Sequence, residues 1–267
     1  MKNMSKRYVL AAVAALSVLA AVWSFSFNQE KNMNDFNQTD PGFMALWNSF
    51  VEKDVKKHGS LDRDTRYTAL LAAHIAIQSR DGYKNVLNEA LEQGLSPIKA
   101  KEVLYHAVPY AGMAKVYDFF RLTNEVFADR NVRLPLPDQS TTTEADRLEK
   151  GLAVQRGIFG AGHIDSMRAS APEELKHIQD FLSANCFGDY YTRDGLDIKK
   201  RELVTFVILV SMGGAEPQAR AHAKANQNVG NSRVLLLDTV TQILPYIGYP
   251  RSLNAIALIN EVYSQEK

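Results

Sequence analysis

The sequence places an acid and a histidine at the two ends of an apolar helical hairpin. Glu202 is the second residue of the stretch "RELVTFVILVSMGGAEPQARAH", which runs from Arg201 to His222 and turns at Gly213-Gly214. With a rise of ~1.5 Å per residue, the ~11 residues before the turn and the ~8 after it leave the two side chains only ~4–5 Å out of register. A carboxylate beside an imidazole forms a general acid/base pair, because the acid fixes the histidine tautomer.

Two simpler interpretations of these side chains stay open. Glu202 would be favoured in the first turn of its helix by the macrodipole alone, and His222 would then be a half-exposed surface residue. A Glu–His pair also suits a metal ion, but no third ligand follows at helical spacing, so we predict no metal site.

The composition limits the partners that suit this chain. Its 267 residues are 46% hydrophobic, which is enough for a substantial core. The 31 basic and 30 acidic residues nearly balance, so nothing favours nucleic acid as a partner. The single cysteine, Cys186, excludes an intramolecular disulfide and a cysteine-based zinc site. We therefore expect a small-molecule partner.

Helical periodicity covers most of the chain, and no segment alternates as a strand does, so we predict an all-α fold. The pattern also repeats: "LYHAVPYAGMAKVYDFFRLTNEVF" from Leu104 resembles "VTQILPYIGYPRSLNAIALINEVY" from Val240. Internal similarity of this kind indicates tandem copies of one unit. We predict a first four-helix repeat over 45–128, a linker over 129–147, and a second repeat with an additional lead-in over 148–267.

The N-terminal residues are typical of an exported protein. A basic start precedes an uninterrupted apolar run from Tyr8 to Phe27, as in an export signal, and this run is also long enough to span a bilayer. We expect residues 1–27 to be a signal peptide, or an anchor formed by residues 8–27, of a periplasmic or secreted protein. The Asn-rich segment 28–44 is predicted to be a tether.

The motifs, in this order, resemble the carboxymuconolactone decarboxylase family, whose all-helical fold is shared with the alkylhydroperoxidase D group. The resemblance rests on the R-E-L-V-T helix, the glycine turn, His222 and "PYIGYPRSLNA". Two lead-in segments extend it, "EKGLAVQRGIFGAGHIDSM" from Glu149 and "FGDYYTRDGLDIKKREL" from Phe187. It implies two tandem alkylhydroperoxidase D-like repeats and a homo-oligomer, with a trimer of the two-repeat chain as the expected form.

The thiol chemistry of the peroxidase branch lacks its reacting groups in this chain. That branch carries a Glu, then Cys-x-x-Cys, then His four residues later. Counting back from His222 puts Gln218 and Ala215 at the two cysteine positions. Cys186 precedes the Glu202 helix and has no second cysteine to resolve it. A peroxidase or peroxiredoxin-type activity is therefore the weakest of the functions that the resemblance suggests.

The decarboxylase branch needs no cysteine. The resemblance implies a cofactor-free lyase that acts on a small carboxylated lactone or a related acid by general acid/base catalysis. Glu202 and His222 are the expected proton-transfer pair. His163, in the glycine-flanked "GAGHID", is a second acid/base candidate, or else a capping or core histidine. The alternative function is a non-catalytic small-molecule binding or partner protein that retains the fold.

Three further residues are candidates for binding the substrate. Arg156 and Arg201 could hold a carboxylate through the planar fork of the guanidinium group, although Arg201 could equally be a surface charge. Tyr246 is the third candidate. It recurs in the first repeat as Tyr110, which favours a packing role common to both copies.

The first repeat is predicted to be degenerate. Arg66-Tyr67 stands where the second repeat has Arg201-Glu202, and Lys84 stands in place of His222. The first repeat therefore lacks both members of the dyad and is expected to supply scaffold. It carries Glu102 and His106 in the middle of a helix, where we predict polar contacts between helices.

Overall fold

The computed structural model describes residues 35–264, and every regular element among them is helical. This confirms the prediction of an all-α fold. A 3₁₀ turn spans Glu173–Leu175, and π-helical segments span Ser49–Val55 and Leu182–Tyr191. The α-helices are α1 Phe36–Thr39, α2 Pro41–Asn48, α3 Arg63–Ala76, α4 Arg80–Glu92, α5 Pro97–Ala111, α6 Met113–Asp129, α7 Arg147–Phe159, α8 Ala161–Ala169, α9 Lys176–Phe181, α10 Ile198–Met212, α11 Glu216–Asn228, α12 Arg233–Ile247 and α13 Tyr249–Tyr263.

The two repeats have the same local signals at corresponding helix starts. Helices α3–α6 form the first copy and α10–α13 the second. The first helix of each copy begins at an aspartate, Asp62 or Asp197, whose side chain accepts a hydrogen bond from a backbone N–H three residues later. The third helix begins in the same way at Ser96 or Ser232. Such caps satisfy N–H groups that a helix start leaves without a partner.

Helices α5 and α12 also end in the same way. Each contains a proline near its C-terminal end, Pro109 or Pro245, and stops at a glycine with positive φ, +84° at Gly112 and +80° at Gly248. A residue with a Cβ rarely adopts this conformation, so glycine fixes the turn into the next helix. The repeated sequence therefore produces a repeated helix–turn–helix geometry.

The core lies between the two repeats, where helices of one repeat pack against helices of the other. Helices α3 and α10 pack against each other, α10 also packs on α5 of the first repeat, and α3 packs on α12 of the second. The segment from Leu203 to Val210 is buried without interruption, because α10 is apolar around its circumference and has neighbours on all sides. This reciprocal packing places groups from α5 beside the Glu202 helix.

The lead-in to the second repeat forms a tight crossing between α7 and the π-helical segment Leu182–Tyr191. The crossing depends on two glycines. A Cβ at Gly151 would overlap the carbonyl oxygen of Ser183, and one at Gly188 would overlap the carbonyl oxygen of Arg147. Because the two backbones touch here, the side chains that follow on both elements converge on the space beside α10 and α11.

The segment between α6 and α7 has no helix of its own but is held by hydrogen bonds. Thr141 and Thr142 donate through their hydroxyls to the carbonyl oxygens of Thr192 and Gly188, at 2.7 and 3.1 Å. It occupies most of the range predicted as a linker, and these contacts tie it to the lead-in.

The N-terminal part differs from the expected tether wherever the structure describes it. Residues 36–48 contain helices α1 and α2, because Asp35 caps the first and Pro41 occupies the first position of the second. These helices belong to a compact unit that ends at Lys57, separate from the unit that begins at His58. The predicted export segment, residues 1–27, lies outside the described residues. No helix within 35–264 has the length and apolar character needed to cross a membrane.

Candidate functional site

A cavity of about 710 Å³ lies beside the turn between α10 and α11. Its walls come from both repeats and from the lead-in, since α5, α7, α8, the π-helical segment, α10 and α11 all contribute side chains. The lining residues are Pro109, Tyr110, Gln155, Phe159, His163, Ile164, Met167, Leu182, Cys186, Phe187, Leu209, Met212, Ala215, Gln218, Ala221 and His222. A largely apolar cavity of this size with a few polar groups is suited to a small organic molecule.

The structure brings Glu202 and His222 together, with His222 on the wall of this cavity and Glu202 buried behind it. The Nδ1 atom of His222 lies 2.7 Å from Oε2 of Glu202, as expected from two helices that fold back at Gly213-Gly214. Asn226 fixes the approach of the helices, because its amide nitrogen donates to the backbone oxygens of Glu202 at 2.9 Å and of His222 at 2.7 Å. The interpretation of His222 as a half-exposed surface residue is therefore wrong, since its side chain is buried, as is that of Glu202.

The contacts of the dyad orient the imidazole. A carboxylate oxygen only accepts, so the Nδ1 atom of His222 carries a hydrogen and donates it to Glu202. The Nε2 atom is then the position that can exchange a proton with a molecule in the cavity. Edge-to-face contacts with Tyr110 and Phe159, at centroid distances of 5.6 and 5.5 Å, hold the ring in place. Glu202 is fully buried, and its Oε1 atom has no hydrogen-bond partner within the described residues.

His163 and Arg156 occupy different positions relative to the cavity. His163 lies in the first turn of α8 after Gly160, contributes to the cavity lining and is exposed, so it stands at the mouth. Arg156 does not line the cavity. It forms a surface ion pair with Asp165, with its Nη2 atom 2.6 Å from the carboxylate. The structure thus keeps His163 with the dyad and directs Arg156 to a partner on α8.

Arg201 does not reach the cavity, which corrects its prediction as a substrate-binding residue. Its side chain is fully buried on the far side of α10. The Nη2 atom donates to the carboxylate of Glu102 at 3.0 Å and to the carbonyl oxygens of Arg193 and Asp194 at 2.7 and 3.1 Å, and Nε donates to Leu196 at 3.1 Å. The guanidinium group is therefore occupied by structural contacts, and the predicted interhelix role of Glu102 is observed.

Tyr246 is likewise not at the cavity, because the tyrosines cross over between the repeats. Tyr246 of the second repeat lies edge-on to His74 of the first, at a centroid distance of 4.7 Å. Its counterpart Tyr110, from the first repeat, lies against His222 of the second. The prediction named the copy of this tyrosine that does not line the cavity, since reciprocal packing was not visible in the sequence.

Sequence reasoning missed two polar groups of the cavity wall. The hydroxyl of Tyr110 lies 2.9 Å from that of Tyr191, and the sulfur of Cys186 lies 3.6 Å from the Tyr110 oxygen. Burial raises the pKa of the Cys186 thiol to about 12 and raises the pKa of Tyr110 well above its usual value. Both groups therefore stay protonated. The repeated Pro-Tyr motif was the one sequence signal that marked Tyr110.

The cavity wall consists of apolar and neutral polar side chains together with His163 and His222. Its lining within the described residues includes no Lys, Arg, Asp or Glu, and Ala215 and Gln218, at the cysteine positions of the peroxidase branch, both face it. No group of three or more His, Cys, Asp or Glu in the described part of the chain is arranged to hold a metal ion. The site can thus exchange a proton at His222 in largely apolar surroundings.

In comparisons with known proteins, one family model matches the chain twice, once in each repeat. The model of the carboxymuconolactone decarboxylase family matches residues 41–125 and 176–261. A 4-carboxymuconolactone decarboxylase from Acinetobacter baylyi is 28% identical over 120 residues, which cover 45% of this chain and 89% of that enzyme. An uncharacterised 15.0 kDa protein from Paracoccus denitrificans is 31% identical over 81 residues, 30% of this chain and 60% of that protein.

Proposed function

The chain belongs to the carboxymuconolactone decarboxylase family, and we propose that it is a cofactor-free lyase that removes carbon dioxide from a small carboxylated lactone or a related acid. One observation carries the proposal. The Glu202–His222 dyad, with its 2.7 Å hydrogen bond, presents an imidazole to a largely apolar cavity large enough for such a molecule. The similarity to a 4-carboxymuconolactone decarboxylase supports the substrate class.

The reaction needs one proton donor and a place for one electron pair. When the bond between the carboxylate and its carbon breaks, carbon dioxide leaves and the electron pair moves into the conjugated lactone carbonyl as an enolate. Protonated His222 then gives its Nε2 hydrogen to a carbon of this enolate. Glu202 stabilises the imidazolium through Nδ1, and water returns the proton to the histidine. In balance, one carboxylate and one proton become one C–H bond and one carbon dioxide.

The apolar lining favours the bond-breaking step. The carboxylate charge is concentrated on two oxygens at the start and spreads over the conjugated system as carbon dioxide leaves. Since the described lining contains no Lys or Arg to hold the carboxylate, the cavity disfavours the localised charge more than the dispersed one. His163 at the mouth is the basic group placed to contact a carboxylate as the substrate enters.

The test is release of carbon dioxide from 4-carboxymuconolactone, with His222→Gln and Glu202→Gln as the diagnostic variants. Loss of a general acid lowers kcat by roughly 10²–10⁴-fold, so we expect His222→Gln to fall in this range. The matched control is Lys84→Gln, because Lys84 holds the position of His222 in the other repeat: Asn88 donates to its carbonyl oxygen at 3.0 Å as Asn226 does to that of His222. Equal activity of His222→Gln and wild type would refute the proposal.

A second function is favoured by the same lining. A cavity without charged side chains also suits storage or transport of an uncharged molecule, with the dyad as a hydrogen-bonding contact. The two functions separate in one assay series. A binding protein would retain a lactone without a carboxylate and would release no carbon dioxide from its carboxylated analogue.

A further inference from the structure

A continuous row of hydrogen bonds leads from His106 in helix α5 to the wall of the cavity. The Nε2 atom of His106 lies 2.9 Å from the hydroxyl of Thr205, that hydroxyl lies 2.9 Å from the hydroxyl of Tyr191, and Tyr191 lies 2.9 Å from Tyr110. All but Tyr110 are buried. We call these four side chains the hydroxyl row; its inner end is His106 and its outer end, Tyr110, lines the cavity.

The inner end fixes the direction of the hydrogen bonds. Nε2 of His106 also lies 3.1 Å from the backbone oxygen of Arg201, which can only accept, so Nε2 carries a hydrogen. Nδ1 faces the Nη1 donor of Arg201 at 3.5 Å and is the acceptor. Burial first, and the charge of Arg201 second, lower the pKa of His106 well below its usual value. The ring is therefore neutral, with its hydrogen on the nitrogen that faces Thr205.

The hydrogens of the three hydroxyls then point outwards. Thr205 accepts from His106 and donates to Tyr191, and Tyr191 donates to Tyr110. The opposite order would leave the buried hydroxyl hydrogen of Thr205 without an acceptor, which folded proteins avoid. The oxygen of Tyr110 accepts from Tyr191 and from the thiol of Cys186. Its own hydrogen remains for a molecule in the cavity.

We propose that Tyr110 donates a hydrogen bond to the carbonyl oxygen of a lactone bound in the cavity, and that Thr205 and His106 are positioning residues that aim this hydrogen. The inference rests on the proposed function for its ligand class. During decarboxylation the same carbonyl oxygen becomes the enolate oxygen, so the bond strengthens as charge develops. No proton moves along the row. The degenerate first repeat would thus supply a substrate contact to the site of the second.

The experiment uses 2(5H)-furanone, an uncharged unsaturated lactone that has no carboxylate to lose. Difference infrared spectra of the full chain report the carbonyl stretch of the bound probe, and a titration reports its dissociation constant. We expect the stretch to move to lower wavenumber in the wild type and to lose that displacement in Tyr110→Phe. The loss of one neutral hydrogen bond weakens binding by roughly three- to ten-fold. Tyr246→Phe, the counterpart in the other repeat, is the control and should behave as the wild type.

Two variants of Thr205 test the positioning role separately. Thr205→Ser keeps the hydroxyl and should keep the displaced stretch, whereas Thr205→Val removes the hydroxyl at nearly constant volume and should reduce the displacement. A purely structural role would change stability in both without moving the stretch. If Tyr110→Phe does not fold, this pair still decides the question.

The outcomes that overturn the inference are distinct from those that overturn the proposed function. A wild type that does not bind the furanone saturably, or an equal carbonyl stretch in wild type and Tyr110→Phe, would refute the role of Tyr110 even if carbon dioxide is released. Conversely, a displaced stretch without carbon dioxide release leaves the Tyr110 contact intact and removes the lyase.

Discussion

The buried histidine of the first repeat should make the stability of the protein depend on pH in a defined window. His74 is 3% exposed, and neither of its ring nitrogens has a hydrogen-bond partner within the described residues. Burial lowers its pKa from 6.5 to about 4. The folded state therefore holds the neutral ring, while the unfolded chain binds a proton below pH 6.5.

The sign and size of the effect follow from this difference. The contribution of His74 to stability is fully present above pH 6.5 and is lost as the pH falls towards 4, because the unfolded state binds a proton at this histidine that the folded state does not bind. With those two values, His74 should account for roughly 2 kcal/mol of lost stability between pH 7.5 and pH 5. The variant His74→Leu should remove this loss, since the second repeat carries Leu209 at the matching position.

The effect is measured by urea unfolding of the wild type and of His74→Leu at pH 7.5 and pH 5. The drop in the free energy of unfolding between the two pH values is compared between the two proteins. Other titrating groups are common to wild type and variant, so the pH-dependent part of their stability cancels. The control is His177→Leu, because His177 is exposed on α9 and folding leaves its ring in water. A free energy of unfolding that falls equally in the wild type and His74→Leu would show that the ring is hydrated or protonated in the folded state.

Three further results are expected. Gly188→Ala should lower the free energy of unfolding by roughly 3 kcal/mol or more, measured by urea titration, since its Cβ would overlap the Arg147 backbone; a variant as stable as the wild type would mean that α7 and the π-helical segment separate freely. Cys186, with a thiol pKa of about 12, should react with a thiol reagent only when urea unfolds the chain, and rapid labelling of the native protein would contradict its burial. Fusion of residues 1–27 to a reporter enzyme that is active only outside the cytoplasm should give activity, and a reporter retained inside would refute export.

The sequence predicted the dyad correctly in space because local rules determine it. Rise per residue, the position of the glycines and the apolar character of α10 fix where Glu202 and His222 lie relative to each other. The distance between the two side chains therefore does not depend on which other helix packs nearby. Local rules also account for the helix start at Ser96, whose side chain caps α5.

The errors concern side chains whose surroundings depend on packing between distant segments. Arg201 is adjacent to Glu202 in sequence but lies on the opposite side of α10, where Glu102 from the first repeat binds it. Tyr246 was predicted as a candidate for binding the substrate, whereas its counterpart Tyr110 is the copy that lines the cavity. Which side chains of a helix face the cavity depends on the helix that packs against it. Because helices of one repeat pack on helices of the other, the tyrosine beside His222 comes from the first repeat.

The exchange of contacts also explains why the two repeats diverged in complementary ways. On the side of the second repeat, Arg201 meets Glu102 and His106. On the side of the first, the corresponding Arg66 donates to Gln242, which replaces His106, at 3.0 Å.

The first-repeat side cannot form the hydroxyl row. An amide replaces the imidazole, and Leu70 occupies the position that Thr205 holds in the second repeat. The same copy lost the dyad, with Tyr67 in place of Glu202 and donating instead to Glu89 at 2.8 Å. Dyad and hydroxyl row are therefore both present beside the cavity and both absent from the corresponding positions around the first repeat, which is expected if they serve the same bound molecule and is not required if either serves packing alone.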